Sequence, residues 1–225
     1  MTTRTHYLAV LMIAFATTNP LQAQTTAPPD DGMRTLLGGR TDLHHGGWGA
    51  PTAHYTRIMD QDAMLVGLRG GWLIDHRVTV GIAGHGLVTP LRNIAYDAYL
   101  LDQGTPAPRP TAFHMGYGGL LIEPIIAYRS PVHISLPIMF GAGGCAYDFN
   151  TVLPEEDGQP GYGYLEGQAF FVVEPGIDLE MNVIPLVRLG ISASYRYTSD
   201  LDLPATAKDA LHGANVGVVV KIGRF

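Results

Sequence analysis

The sequence predicts an all-β fold, an antiparallel up-and-down transmembrane β-barrel of eight strands, and three observations predict it. Apolar residues recur at every second position along strand-length segments. The connections between those segments alternate between short and long. Charged residues make up only 15% of a chain that is 46% hydrophobic, against roughly a quarter in an ordinary soluble domain.

Along the chain, the first element is an export signal. Arg4 supplies a positive start, Tyr7 to Ala16 an apolar run, and Leu21-Gln22-Ala23 a small-residue end, so residues 1–23 are expected to be cleaved before Gln24. The run is shorter than the roughly 20 residues a spanning helix needs. No cysteine follows it to carry a lipid anchor. Cys145 is the single cysteine, so neither an intramolecular disulfide nor a cysteine-pair metal site can form. Beyond the signal no apolar run is long enough for a membrane helix, which leaves strands as the means of crossing.

Residues 24–45 contain APPDDG and LLGGR and follow neither a helical nor a strand period, so they read as a periplasmic lead-in to a barrel domain at 46–225. A weak first strand runs from about Gly46 to Ile58. In the second, Met64, Val66, Leu68, Trp72 and Ile74 alternate with Gly67, Arg69 and Gly71. Asp75-His76 turns the chain, and Val78, Val80 and Ile82 continue against Thr79, Gly81, Ala83 and His85 as a hairpin.

After a long polar stretch, Phe113 to Tyr128 forms the fourth strand, with Leu120, Ile122 and Ile126 opposed to Tyr117, Gly119 and Glu123. Arg129-Ser130-Pro131 turns into the fifth, where Val132, Ile134, Leu136, Ile138 and Phe140 oppose His133, Ser135, Pro137 and Gly141. The sixth alternates Phe171, Val173, Ile177, Leu179, Met181 and Val183 with Glu174, Gly176, Asp178, Glu180 and Asn182. Past Pro185, the seventh alternates Val187, Leu189, Ile191, Tyr195 and Tyr197 with Arg188, Gly190, Ser192 and Arg196. The eighth sets Val216, Val218, Val220 and Ile222 against Gly217, Val219 and Lys221.

Connections are short at 75–76, 129–131 and near Pro185 but long at 91–112, 150–168 and 199–212. Short inner turns and long outer loops are the habit of outer-membrane barrels, and an even strand number returns both termini to the inner side. Only the outer loop at 59–62 is short. Period two by itself also fits a soluble barrel or sandwich, so the less apolar face decides. It carries Arg69, Glu123, Glu174, Asp178, Glu180, Arg188, Arg196 and Lys221, four acids and four bases. A narrow lumen requires such balance because an unpaired buried charge is costly, whereas a water-facing surface does not. Two aromatic girdles are expected, Trp72, Tyr128 and Phe225 on the turn side and Phe171, Tyr195 and Tyr197 on the loop side. Pro124, Pro137 and Pro175 fall inside strands, where bulges are expected.

The export signal, eight dyad-repeat strands and terminal Phe225, with segments such as GLRGGWLIDHRVTVGIAGHGL (67–87) and FVVEPGIDLEMNVIPLVRLGISASYRY (171–197), resemble the small eight-stranded bacterial outer-membrane β-barrels. The resemblance covers about 46–225 and implies an outer-membrane location, contact with outer-membrane lipids, and a barrel-assembly machinery that reads the C-terminal strand. It brings no active-site motif. In those barrels the last strand's apolar phase matches the final aromatic, whereas Phe225 here is out of phase, so either a bulge near the terminus shifts the register or Phe225 is not used in the usual way.

No catalytic, cofactor-binding or metal site is assigned. The nine histidines show neither a two-histidine metalloprotease spacing nor a serine-triad order. A few outer-membrane barrels are lipid-modifying enzymes, and His85, His114 or His133 with Ser135 or Glu123 are the residues such a role would draw on, but structural histidines in or near the lumen are expected. A net charge of -6 with no basic stripe excludes nucleic acid as a partner. The long loops are acidic, and Glu155, Glu156 and Asp157 form a candidate cation-binding cluster. The expected molecule is a monomeric barrel with a structural or surface-interaction role. The alternative is a lipid-modifying enzyme or a narrow solute channel, although eight strands leave an interior just filled by side chains.

Overall fold

The computed structural model describes residues 44–104, 111–149 and 164–225. Two consecutive left-handed residues turn each of the first two hairpins, in a two-residue connection at 59–60 and a three-residue one at 75–77. Met59 and Asp60, and again Asp75 and His76, all have φ between 51° and 59°, the paired left-handed conformation whose twist matches antiparallel strands. These reversals join β1 (His45–Ile58) to β2 (Gln61–Ile74) and β2 to β3 (Val78–Leu87) in unbroken register. β1 opens at His45, one residue inside the segment read as lead-in.

The remaining described strands are β4 (Thr111–Ile126), β5 (Val132–Ser135), β6 (Ile138–Phe149), β7 (Tyr164–Ile184), β8 (Val187–Thr198) and β9 (Gly213–Arg224). β5 and β6 both lie between β4 and β7, so they are one stave interrupted at Leu136-Pro137. The sheet therefore has eight antiparallel staves. β1 pairs with β9 from Gly47↔Arg224 to Thr56↔Asn215, which closes the ring. A closed ring satisfies its backbone hydrogen bonds internally and has no free edge, the condition for strands to cross a membrane. Among the described residues no helix is long and apolar enough to cross one.

The prolines do not cause the expected bulges. Register is the same on both sides of Pro124, Pro137 and Pro175, and the described shifts lie elsewhere, at Tyr147/Asp148 and Asn182/Ile184. Proline removes a donor without adding a residue, so the ladder loses a rung and keeps its alignment. At Pro137 that loss is wide enough to divide the stave. The bulge expected before the C-terminus is likewise not there, because β9 runs in one register against both β8 and β1.

Period two decides the two faces. The outward positions carry exposed Leu68, Ile82, Leu120, Phe171, Ile191 and Val218, among many others. Such a continuous apolar exterior is far larger than a water-soluble monomer tolerates and suits hydrocarbon. The described part of the stretch read as a polar loop at 91–112 holds a helix that the sequence reading did not expect, α1 (Ile94–Asp102). Asn93 caps it, its side chain accepting from the backbone N–H of Ala95 and Tyr96.

Candidate functional site: the lumen and its loop cap

All eight charged residues of the less apolar face point inward and are buried. Lys221 on β9 reaches across the lumen to the carboxylates of Glu123 on β4 and Glu180 on β7, with its ammonium 4.3 Å from the Trp48 ring centroid. Glu180 also accepts from Ser135 at 2.5 Å and meets His133 Nε2 at 3.2 Å. Two residues from Glu180 along β7, Asp178 accepts from Arg69 at 2.8 Å. Among these eight residues four acids face four bases, and this balance offsets much of the cost of removing their charges from water.

A second cluster lies nearer the outer end. Glu174 accepts from Tyr117 (2.7 Å), Ser194 (2.6 Å) and Asn215 (2.9 Å). Arg196 donates to the Asn215 side chain at 3.1 Å and to the Leu211 carbonyl at 2.6 Å, tying the lumen to the loop above it. His54 and His85 stand beside this cluster with rings 5.3 Å apart. Between the two clusters a cavity of about 20 Å³ is lined by Arg69, His54, His85 and Glu174, the size of one water molecule. Tyr117, Ser194, Asn215 and His54 lack charge and were not singled out in sequence; their signal was only the inward phase of their strands.

The outer mouth is closed by apolar packing. Leu91, Tyr96 and Leu100 from α1 and its lead, and Leu201, Leu203 and Leu211 from 199–212, are buried with Phe113, Met115, Tyr147 and Phe170 of the wall. Tyr96 stacks on Tyr147 with ring centroids 3.9 Å apart, and burial pushes the Tyr96 phenol up to about 12. Asn93 donates to the Tyr147 hydroxyl at 2.7 Å and to the Ala205 carbonyl at 3.0 Å, joining the two loops.

Of the aromatic residues expected in girdles, Trp72 faces outward near the turns, and Phe171, Tyr195 and Tyr197 face outward near the loops. Tyr128 sits in the turn after β4, half-buried between Arg77 and Arg129, each 5.5 Å from its ring centroid. Phe225 is a correction. It shares the inward phase of Lys221 and Gly223, and the buried Arg188 guanidinium lies 3.8 Å from its ring centroid. With no bulge to reverse the phase, the terminal ring stacks at the lumen's inner end instead of joining a girdle. Tyr55, exposed on the outer wall and donating to Asp62 at 2.7 Å, occupies the loop-side level that sequence reading left empty on β1.

Of the residues weighed for catalysis, His85, His133, Ser135 and Glu123 are buried in the lumen. His114 lies apart on the outer wall, 3.8 Å from Asp148. Glu123, Asp178 and Glu180 come close enough to hold a metal ion, but Lys221 already pairs with Glu123 and Glu180, and Arg69 with Asp178. Glu155, Glu156 and Asp157 lie outside the described residues.

No family model matches the chain, and no curated protein matches it. Solved structures do. Neisserial surface protein A is 13% identical with a TM-score of 0.51, over 80% of this chain and 98% of that one. The N-terminal β-barrel domain of Pseudomonas aeruginosa OprF (11%, TM-score 0.44, over 78% and 96%) and the Yersinia pestis attachment invasion locus protein Ail (12%, TM-score 0.44, over 80% and 98%) also match. The fold is that of the small eight-stranded outer-membrane β-barrels.

Proposed function

We propose that this chain is an integral, non-conducting protein of the bacterial outer membrane with a structural or surface-interaction role. The double closure of the lumen carries this reading. An aqueous path would have to pass the apolar cap of Tyr96, Leu100 and Leu211 and then the cross-lumen contacts of Lys221 and Arg69. Breaking either exposes apolar surface or leaves charges unpaired. The same burial keeps His133, Ser135 and Glu123 away from any substrate, which disfavours an enzyme.

In this reading residues 1–23 direct export, 24–44 lead into the barrel, and assembly machinery reads β9. The acidic outer loops keep the exposed rim soluble, and the closed ring favours a monomer because it offers no strand edge. Cell fractionation and gel mobility before and after boiling test the location: the folded chain is expected in the outer membrane with heat-modifiable mobility. Planar-bilayer recording tests the closure, and steady ion-selective conductance would refute it.

A further inference from the structure

The outer rim carries a cleft of about 1250 Å³ that the lumen reading does not use. Its origin is the unequal height of the loops. The β1–β2 reversal consists of two residues, Met59 and Asp60, whereas α1 rises on one side of it and the 199–212 segment on the other. The result is a notch in the loop crown above β1. Tyr55, Arg57, Tyr195 and Val216 also line it, and these are outward positions of β1, β8 and β9. The notch therefore opens sideways onto the lipid-facing wall, at the level of the loop-side aromatic residues.

Its polar groups are of mixed sign. Among the described residues nothing engages the exposed Arg92 guanidinium, and Arg57 donates one N–H to the Asp60 backbone carbonyl at 2.8 Å and makes a solvent-exposed contact with Asp62 at 3.7 Å, of the kind worth little and readily exchanged. Asp97 is occupied, accepting from the Thr111 backbone and hydroxyl at 3.0 and 2.7 Å. Asp60 and Asp209 present exposed carboxylates. Gln61 is occupied as well, donating to the Arg92 carbonyl at 2.7 Å. Two guanidiniums suit phosphate, while the two exposed carboxylates suit hydroxyl donors.

An independent feature continues downward from the notch. Below Tyr55 the outward face of β1 is Ala53, Pro51, Gly49 and Gly47, while β2 on one side presents Met64, Val66 and Leu68 and β9 on the other Val216 and Val218. This makes a furrow between two apolar ridges, running along the wall toward the inner side. A Cβ on Gly49 would meet nothing within 4 Å, so packing of the chain against itself does not demand the small residue. The furrow has the apolar chemistry of an acyl chain's track.

We propose that the notch and furrow together form a binding site for one outer-leaflet lipid, a phosphorylated glycolipid. Its phosphate lies against Arg57 and Arg92, its sugar hydroxyls against Asp60 and Asp209, and one acyl chain in the β1 furrow. The site rests on outer-membrane residence as proposed above.

The test uses the full chain folded in detergent, its fold verified by heat-modifiable mobility so that failure to bind is separable from failure to be a membrane barrel. It is reconstituted into phosphatidylcholine vesicles with or without a diphosphorylated disaccharide glycolipid, and bound lipid is counted by native mass spectrometry. One retained glycolipid per chain and a raised unfolding midpoint are expected. Arg57→Gln and Arg92→Gln should each weaken binding about fivefold, and Ala53→Phe should displace the acyl chain. Arg224→Gln, at the far end of the barrel, should change nothing. Equal retention of phosphatidylglycerol would overturn the sugar assignment, and equal binding of the soluble phosphorylated disaccharide would overturn the lipid source. Unaltered binding in the double arginine variant would overturn the site.

Discussion

Lys221 is the place to break the lumen. Its ammonium, 1% exposed, is held between the fully buried carboxylates of Glu123 and Glu180 and above Trp48. Lys221→Met keeps most of the apolar stem and removes the charge, which separates electrostatics from packing. Glu180 keeps Ser135 and His133, but the other Glu123 oxygen, Oε2, has no described partner, so Glu123 becomes the uncompensated group. Breaking a buried pair this way costs about 3–5 kcal/mol, and the lost contact with Trp48 adds about 1 kcal/mol. Adding Glu123→Gln leaves three acids against three bases, from four of each in the parent, and should return at least half of the loss. The assay is urea unfolding of the barrel in lipid vesicles, followed by tryptophan fluorescence and gel mobility. A loss below about 1 kcal/mol in the single variant, or no recovery in the double, would refute the view that charge balance holds the lumen together.

Other perturbations probe separate features. A Cβ on Gly119 would stand 2.1 Å from the Phe140 carbonyl oxygen whereas one on Gly86 would meet nothing within 4 Å, so Gly119→Ala should cost about 1–3 kcal/mol and Gly86→Ala almost nothing by the same unfolding curve. Ala127 holds a φ of 57° in the turn after β4. Ala127→Gly should therefore add about 0.5–1 kcal/mol, read as a higher urea midpoint. Phe225→Ala removes the ring stacked on Arg188 and should lower the stability of barrel refolded without any assembly factor by about 1–2 kcal/mol. Tyr96→Ala deletes the stack on Tyr147 and should cost about 3 kcal/mol, with the loops opened to protease but no steady conductance across bilayers.

The wall was legible in the sequence because lipid and lumen impose opposite chemistry on alternate residues. β7 shows this best, with Glu174, Asp178 and Glu180 inward and Val173, Ile177 and Leu179 outward. β1 was weak because its outward face is small, Gly47 to Ala53, and period two cannot be read where neither face is strongly apolar. α1 was hidden in a stretch judged by its polar ends, although Asn93 before Ile94-Ala95-Tyr96 carries a capping signal. For Phe225 the strand's own phase already pointed inward. The girdle assignment followed the usual role of a terminal aromatic in such barrels, and the local phase prevailed. The cap was beyond reach because Leu91, Tyr96 and Leu211 meet only through the closure of the ring.

Sealing the lumen and shaping the rim are one event. Where the outer wall faces hydrocarbon its apolar residues gain little from leaving water, since lipid tails are as apolar as they are. Loop residues are different: Leu91, Tyr96, Leu100, Leu201, Leu203 and Leu211 leave water when they enter the mouth of the barrel, each side chain contributing about 1.5–3 kcal/mol. That burial draws α1 and the 199–212 segment over the lumen. Asn93 then couples them by donating to the Ala205 carbonyl. Held there, the two loops flank the short β1–β2 reversal and form the sides of the notch. An open lumen would withdraw both sides together, so a conducting barrel and a formed notch exclude each other. The short first loop is thus as much part of the site as the arginines, because lengthening it would fill the notch while leaving the lumen closed.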